Sequence, residues 1–325
     1  MSLTFPQSFG WVGLGAMGYP MAVQLRLKIP QTSKLCIYDV NEAVLHQFVK
    51  DMGDHGPIAI ASNAREVAEQ SEFIISIVPE GTHVRNVYLE PGVGLLAAED
   101  MSGKIFVDCS TIDPATSIAV GNAVAASTPP SKPVARFYDA PVSGGTAGAS
   151  KAILTFMVGA SPSDPDFPLL KEVFSYMGTS IHALGGPSLG LAAKLSNNYL
   201  SGMIALATAE AMNLGMRLGL DPKVLSDCFA TSSGGSWVNS TVNPVPGVCP
   251  DAVTSKGYEG GFKVQLMKKD ILLAMEAAQQ VDAKLVLGDA GLSAYSAAAA
   301  DPRCRDKDSR VIYRWLGGIE PDVDK

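Results

Sequence analysis

A lysine and an asparagine four residues apart, Lys194 and Asn198 in G-L-A-A-K-L-S-N-N-Y (residues 190–199), are the chain's foremost candidates for chemistry. They open an apolar run, residues 200–218, whose only charges are Glu210 and Arg217. That pattern predicts a long and largely buried helix. A spacing of four puts both side chains on one helical face, a turn apart. Burial disfavours the charged form of an amine and brings its pKa toward the range useful for acid–base work. The neutral amide beside it would orient a ligand without adding charge. Taken alone, Lys194 is better explained by a stem packed along the helix with its amine in water. The rest of the chain reverses that reading.

The first half of the chain is built to hold a dinucleotide. A short apolar strand, residues 9–12, runs directly into Gly13-Leu14-Gly15-Ala16-Met17-Gly18, and a helical pattern follows through Met21 and Leu25. In G-x-G-x-x-G the first glycine permits the tight turn and the second lets the backbone approach a pyrophosphate. The third allows close helix packing, and the helix N-terminus then holds the anion. A second strand, residues 34–38, ends at Asp39, 21 residues past Gly18, where a carboxylate accepts hydrogen bonds from ribose hydroxyls. Val40 and Asn41 follow, with no arginine to receive a 2′-phosphate, so NAD is expected over NADP.

Strands and helices go on alternating. Residues 64–70 read as a helix, and residues 73–78 as a strand for the middle of a parallel sheet. That strand ends at Val78-Pro79, in a loop at the carboxyl edge where such folds bind ligands. His83 follows and reads as a solvated loop histidine. Residues 105–107 form another strand that leads to Asp108-Cys109-Ser110-Thr111. Thr111 either touches the cofactor or caps a helix at Pro114. After an exposed loop at 125–133, a strand over 136–141 opens into Ser143-Gly144-Gly145, whose bare N–H groups and hydroxyl suit a carboxylate. A strand at 154–158 and a last helix-and-strand pair over 174–182 complete the half. Gly185-Gly186-Pro187 marks the boundary between residues 1–187 and 188–325.

Beyond it strand signals are scarce. Helices are expected over 190–218, 222–231, 262–280, 285–300 and 308–316, with a long loop around S-S-G-G-S-W and Trp237. The fold class is therefore α/β, a Rossmann-type parallel-sheet domain followed by an all-α domain. So apolar a first helix predicts packing against another copy of the chain, as a homodimer or homotetramer.

Composition narrows the function classes. Of 325 residues 47 % are hydrophobic and 18 % charged, as in globular chains, and a net charge of −7 speaks against a nucleic-acid surface. Five scattered cysteines without a C-x-x-C pair fit a reducing compartment, and four dispersed histidines offer no metal site. The apolar run after Asn198 is too interrupted for a membrane span. The first eight residues are too short and uncharged for a targeting peptide, so cytoplasm or mitochondrial matrix is expected.

Taken together, G-L-G-A-M-G, D-C-S-T-I-D-P, D-A-P-V-S-G-G, G-x-A-A-K-x-x-N-N and L-M-K-K-D resemble the β-hydroxyacid dehydrogenases, in this order and over residues 8–320. R-L-G-L-D-P, S-S-G-G-S-W, N-P-V-P-G and Y-E-G-G-F are most similar to the branch that oxidises 3-hydroxyisobutyrate. The resemblance implies Lys194 as the acid–base residue, Asn198 as its partner on the substrate, and Ser143, Gly144 and Gly145 as the carboxylate cradle. It implies cofactor contacts at residues 13–18, Asp39, Val78, Pro79, His83, Thr111, Phe262 and Lys269, with Lys268 a surface neighbour. The reaction implied is NAD-dependent oxidation of a small 3-hydroxy acid, 3-hydroxyisobutyrate to methylmalonate semialdehyde, a step of valine catabolism. Three departures stand out. His83 replaces an asparagine, Gly235 an arginine, and Ala152 a glycine, the last expected to matter little. The alternatives are a glyoxylate or succinic semialdehyde reductase, an imine reductase, which generally lacks the lysine, and a non-catalytic dinucleotide sensor.

Overall fold

The computed structural model describes residues 5–321; residues 1–4, which begin the segment read above for a targeting peptide, and 322–325 lie outside it. The chain divides into two compact units, residues 1–194 and 195–325, so the division falls inside the long helix.

The first unit begins β1 (Ser8–Val12), α1 (Gly18–Lys28), β2 (Lys34–Tyr38), α2 (Glu42–Met52), β3 (Ile58–Ile60), α3 (Ala64–Glu69), β4 (Phe73–Ser76), α4 (Gly81–Leu89), β5 (Ile105–Asp108), α5 (Pro114–Ala126) and β6 (Arg136–Asp139). These six strands form a wholly parallel sheet in the order β3-β2-β1-β4-β5-β6. The order reverses beside β1, and the glycine turn that follows β1 therefore lies at the switch point, where ligands bind. Phe9, Trp11, Phe73, Ile75, Ile105 and Val107 supply one core face; Ile74, Phe106 and Val67 belong to the other. Strands buried on both faces read as unbroken apolar runs for this reason.

β7 (Val142–Ser143), α6 (Gly145–Ser150), β8 (Leu154–Val158), α7 (Phe167–Ser175) and β9 (Gly178–Ala183) come next. These strands do not extend the first sheet. They make a separate one, β7-β8-β9, antiparallel then parallel. Ala152, in the turn between α6 and β8, has φ of 55°, a region where a Cβ is strained. The expectation that alanine matters little here is thus corrected. Ala152→Gly should stabilise the fold by about 1 kcal/mol, read as a higher melting temperature; an unchanged or lower one refutes it.

α8 (Leu189–Arg217) runs 29 residues, about 43 Å at helical rise, and crosses from the first unit into the second. α9 (Pro222–Thr231), α10 (Trp237–Thr241), α11 (Val264–Gln280), α12 (Gly288–Ala300) and α13 (Ile312–Trp315) follow. Among the described residues after 188 the only β pairing is the bridge Lys263–Asp308. Met203, Met212, Leu225, Tyr258, Met267, Ile271 and Tyr295 form the core of the second unit.

Four readings change. α8 is not largely buried: Leu200 and Leu214 are 59 % and 62 % exposed. His83 stands in the first turn of α4 rather than in a loop. Asp113, not Thr111, caps α5, accepting from Thr116 N at 2.7 Å. The loop around Trp237 contains α10 and is tied down by Asn239 and Asn243, whose amides bond Ser226 and each other.

Candidate active site

In the first unit the three glycines of the turn have three different surroundings. Gly13 has φ of 97°, and a Cβ there would collide with the Ile77 carbonyl oxygen. A Cβ on Gly18 would collide with the Gly13 carbonyl oxygen, so this glycine serves helix packing. A Cβ on Gly15 would meet nothing within 4 Å. Its backbone therefore faces open space, where a pyrophosphate can approach. Met17, before α1, makes no side-chain cap bond, and the first turn of α1 holds no acid, which suits an anion at its N-terminus. Leu14 and Ala16 complete the loop. Asp39 accepts from Leu14 N at 2.6 Å and from Asn41 N at 2.8 Å. The carboxylate is thereby fixed at the end of β2, while Asn41 caps α2 through Ala43 N. These residues fit the adenosine half of a nicotinamide dinucleotide.

Loops after β4 and β5 are joined by a buried polar chain. Val78 N donates to Ser110 Oγ at 2.9 Å, and Ser110 Oγ donates to Asp108 Oδ1 at 2.7 Å. Ser76 Oγ donates to the same oxygen at 2.7 Å and lies 3.0 Å from the Tyr88 hydroxyl. Pro79 and Thr111 flank this chain in sequence, and His83 is exposed in the first turn of α4. Burial pushes the Asp108 carboxyl up to about 6, against the serine bonds that hold it down. Between its ordinary 3.8 and about 6 the folded chain keeps a proton that the unfolded chain has released. Asp108 therefore weakens folding as pH rises through that window. Asp108→Asn should gain thermal stability over wild type as pH climbs from about 4 to about 6 and keep a constant margin above that; parallel melting curves across that range would exclude this.

Ser143 ends β7, and Gly144 and Gly145 follow with φ of 133° and 63°. Gly145 has open space where a Cβ would stand, while Gly144 packs against Leu154. This bare turn offers backbone N–H groups to an anion. Lys194 is 6 % exposed and lies in the second turn of α8, as the last residue of the first unit.

In the second unit Asn198 is also 6 % exposed. Its Nδ2 donates to Asp270 Oδ2 at 2.6 Å, and its Oδ1 accepts from Asn197 at 3.1 Å. Lys269 Nζ lies 3.3 Å from Asp270 Oδ1, so one buried carboxylate holds both Asn198 and Lys269. Lys269 is half-buried and Lys268 exposed. Phe262 N donates to Asp308 Oδ2 at 2.9 Å, and Arg310 pairs with that carboxylate at 2.9 Å. The Arg310 guanidinium in turn sits 5.9 Å from the Trp237 ring. Y-E-G-G-F and the Trp237 segment are thus fixed from one point. A Cβ on Gly235 would stand 3.0 Å from the Phe229 carbonyl oxygen, so the loop has closed around the missing side chain.

Asp270, Asp308 and Arg310 escaped the sequence reading. A usable signal existed for Asp270: it shares a helical face with Val264, Met267, Ile271 and Ala274, all buried, and a carboxylate on an apolar face requires partners. Among the described residues no group of histidine, cysteine, aspartate and glutamate is arranged to hold a metal, and no helix is long and apolar enough to cross a membrane.

Residues 8–186 match the family model described as the NAD-binding domain of 6-phosphogluconate dehydrogenase. Residues 189–316 match the one described as NAD-binding of NADP-dependent 3-hydroxyisobutyrate dehydrogenase. The chain is 40 % identical to 3-hydroxyisobutyrate dehydrogenase of Pseudomonas aeruginosa, over 95 % of this chain and 98 % of that one. It is 36 % identical to the mitochondrial enzyme of that name from mouse, over 96 % and 88 %. Among solved structures, 3-hydroxyisobutyrate dehydrogenase of Mycobacterium tuberculosis with L-serine superposes with a TM-score of 0.83 at 30 % identity, covering 96 % of this chain and 99 % of that one. An imine reductase from Pseudomonas, at 16 % identity, shares the fold alone.

Proposed function

Because the chain belongs to the β-hydroxyacid dehydrogenase family, close to its 3-hydroxyisobutyrate dehydrogenases, we propose that it oxidises 3-hydroxyisobutyrate to methylmalonate semialdehyde with NAD as acceptor. It is an oxidoreductase acting on a CH–OH group, with nicotinamide dinucleotide-binding domains. The observation that carries the mechanism is Lys194, an amine buried within α8 four residues before a buried amide.

A bound nicotinamide supplies the acceptor for the hydride that leaves the alcohol carbon. The Lys194 amine takes the hydroxyl proton in oxidation and, as the ammonium, returns it to the carbonyl in reduction. Its positive charge also steadies the oxygen as charge develops there. Asn198, held through one N–H by Asp270, has a second N–H with which to orient that oxygen. Ser143, Gly144 and Gly145 hold the substrate carboxylate. The glycine loop, Asp39, Val78, Pro79, His83 and Thr111 in the first unit, and Phe262 and Lys269 in the second, are the residues that would hold the cofactor. Asp39 favours NAD, since its fixed carboxylate would repel a 2′-phosphate.

The test is steady-state oxidation of 3-hydroxyisobutyrate, 3-hydroxypropionate, L-serine and 4-hydroxybutyrate with NAD⁺ and NADP⁺ at matched concentrations. Preference for 3-hydroxyisobutyrate with NAD⁺ is expected. A different preferred acid displaces the substrate, and a preference for NADP⁺ displaces the Asp39 argument. The apolar exposure of Leu200 and Leu214 on α8 supports a homodimer or homotetramer through the helical unit, and a sedimentation coefficient of a monomer would refute it. The free cysteines support a reducing compartment, the cytoplasm or the mitochondrial matrix.

A further inference from the structure

α8 begins under constraint. Ser188, just before it, has φ of 62°, and the first N–H groups of any helix lack partners within the helix. Here they are met by a side chain from the sheet. Asp139, the last residue of β6 and 2 % exposed, accepts from Ser188 N through Oδ1 at 2.7 Å and from Leu191 N through Oδ2 at 2.8 Å. A negative charge at a helix N-terminus is also favoured by the helix dipole.

The surroundings are shaped to this carboxylate. A Cβ on Gly159 would collide with Asp139 Oδ1, and one on Gly190 would come within 2.8 Å of Oδ2. Both glycines leave the space that the side chain fills. Lys194 follows Leu191 by three residues, within one turn of the last N–H that Asp139 holds. On its other side Asp139 leads through Ala140-Pro141 into the Ser143-Gly144-Gly145 turn. Its neighbour across the sheet is Asp108, which holds the Val78 loop through Ser110.

We infer that Asp139 is a positioning residue for the oxidation: its carboxylate sets the axial position and rotation of α8 at its start, and thereby where the Lys194 amine sits relative to the carboxylate-binding turn. This rests on the reading of Lys194 as the proton-transfer group. Asp139 touches no reacting atom and acts through the helix. Asparagine has the shape of aspartate but presents an NH₂ to one of the two N–H donors, so Asp139→Asn turns one bond into an opposition of donors while filling the same space.

The experiment compares wild type, Asp139→Asn and Lys194→Ala in the full-length chain, with kcat and KM for the hydroxy acid, the affinity for NAD⁺, and the pH dependence of kcat. Asp139→Asn should lose about tenfold to a hundredfold in kcat, keep its NAD⁺ affinity, and shift the limb of the pH profile that reports the lysine. Wild-type kcat with an unmoved pH limb overturns the inference, as does a lower melting temperature with full turnover per folded site. If Lys194→Ala keeps its turnover, the underlying reading fails instead, and the two failures are distinct. Should Asp139→Asn not fold, amide hydrogen exchange of the wild type decides. Protection at Ser188 and Leu191, where helix starts are ordinarily open, is expected, and exchange there at the rate of an open peptide overturns the inference.

Discussion

Lys194→Ala is expected to lower kcat by about 10²- to 10⁴-fold, the range that a positioned acid–base group contributes, with NAD⁺ binding intact. The separation follows from where the groups stand. Residues proposed to cradle the adenosine half of the dinucleotide are at the glycine turn and at the end of β2, whereas Lys194 lies in α8. Lys194 is only 6 % exposed, so truncation also removes the packing of its stem, and turnover is compared per folded site. Lys194→Arg should be as inactive as the alanine variant. A guanidinium stays protonated at any working pH and takes no proton from the alcohol. Steady-state turnover alongside cofactor titration reads both variants, and turnover near wild type in either one removes Lys194 from the mechanism.

The second large effect concerns two glycines three residues apart that should fail differently. Gly15→Val should leave the fold intact, because a Cβ there meets nothing within 4 Å. It should nevertheless weaken NAD⁺ binding by about a hundredfold or more, ~3 kcal/mol, because the side chain occupies the space where the pyrophosphate approaches. Gly18→Val should instead lose about 4 kcal/mol or more of stability, since its Cβ would collide with the Gly13 carbonyl oxygen and reach within 2.9 Å of the Ile77 side chain. Melting curves and calorimetric titration separate the two. A destabilised Gly15→Val, or one that binds NAD⁺ normally, would falsify the assignment of that open space.

How much of this was legible beforehand follows the range of the interactions concerned. The glycine turn, the strand before it and Asp39 could be read because each requirement is local: a turn needs a missing Cβ, and an acid must sit at the end of the next strand. Lys194 and Asn198 were legible as a pair because helical spacing alone puts them on one face. The helical place of His83, the cap of α5 and the short helix around Trp237 were not legible, because the end of a short helix is set by single residues, Asp113 for α5 and Ser236 for α10.

The chain by itself therefore determined the two-part α/β and all-α plan, the dinucleotide turn and the lysine–asparagine pair, since periodicity and turn chemistry act over a few residues. Only the tertiary structure decided which carboxylates hold them. Asp139 reaches Leu191 across 52 residues, Asp270 reaches Asn198 across 72, and Asp308 reaches Phe262 across 46. No local pattern specifies such partners. Each is chosen because a carboxylate taken out of water must find donors wherever the packed fold brings them.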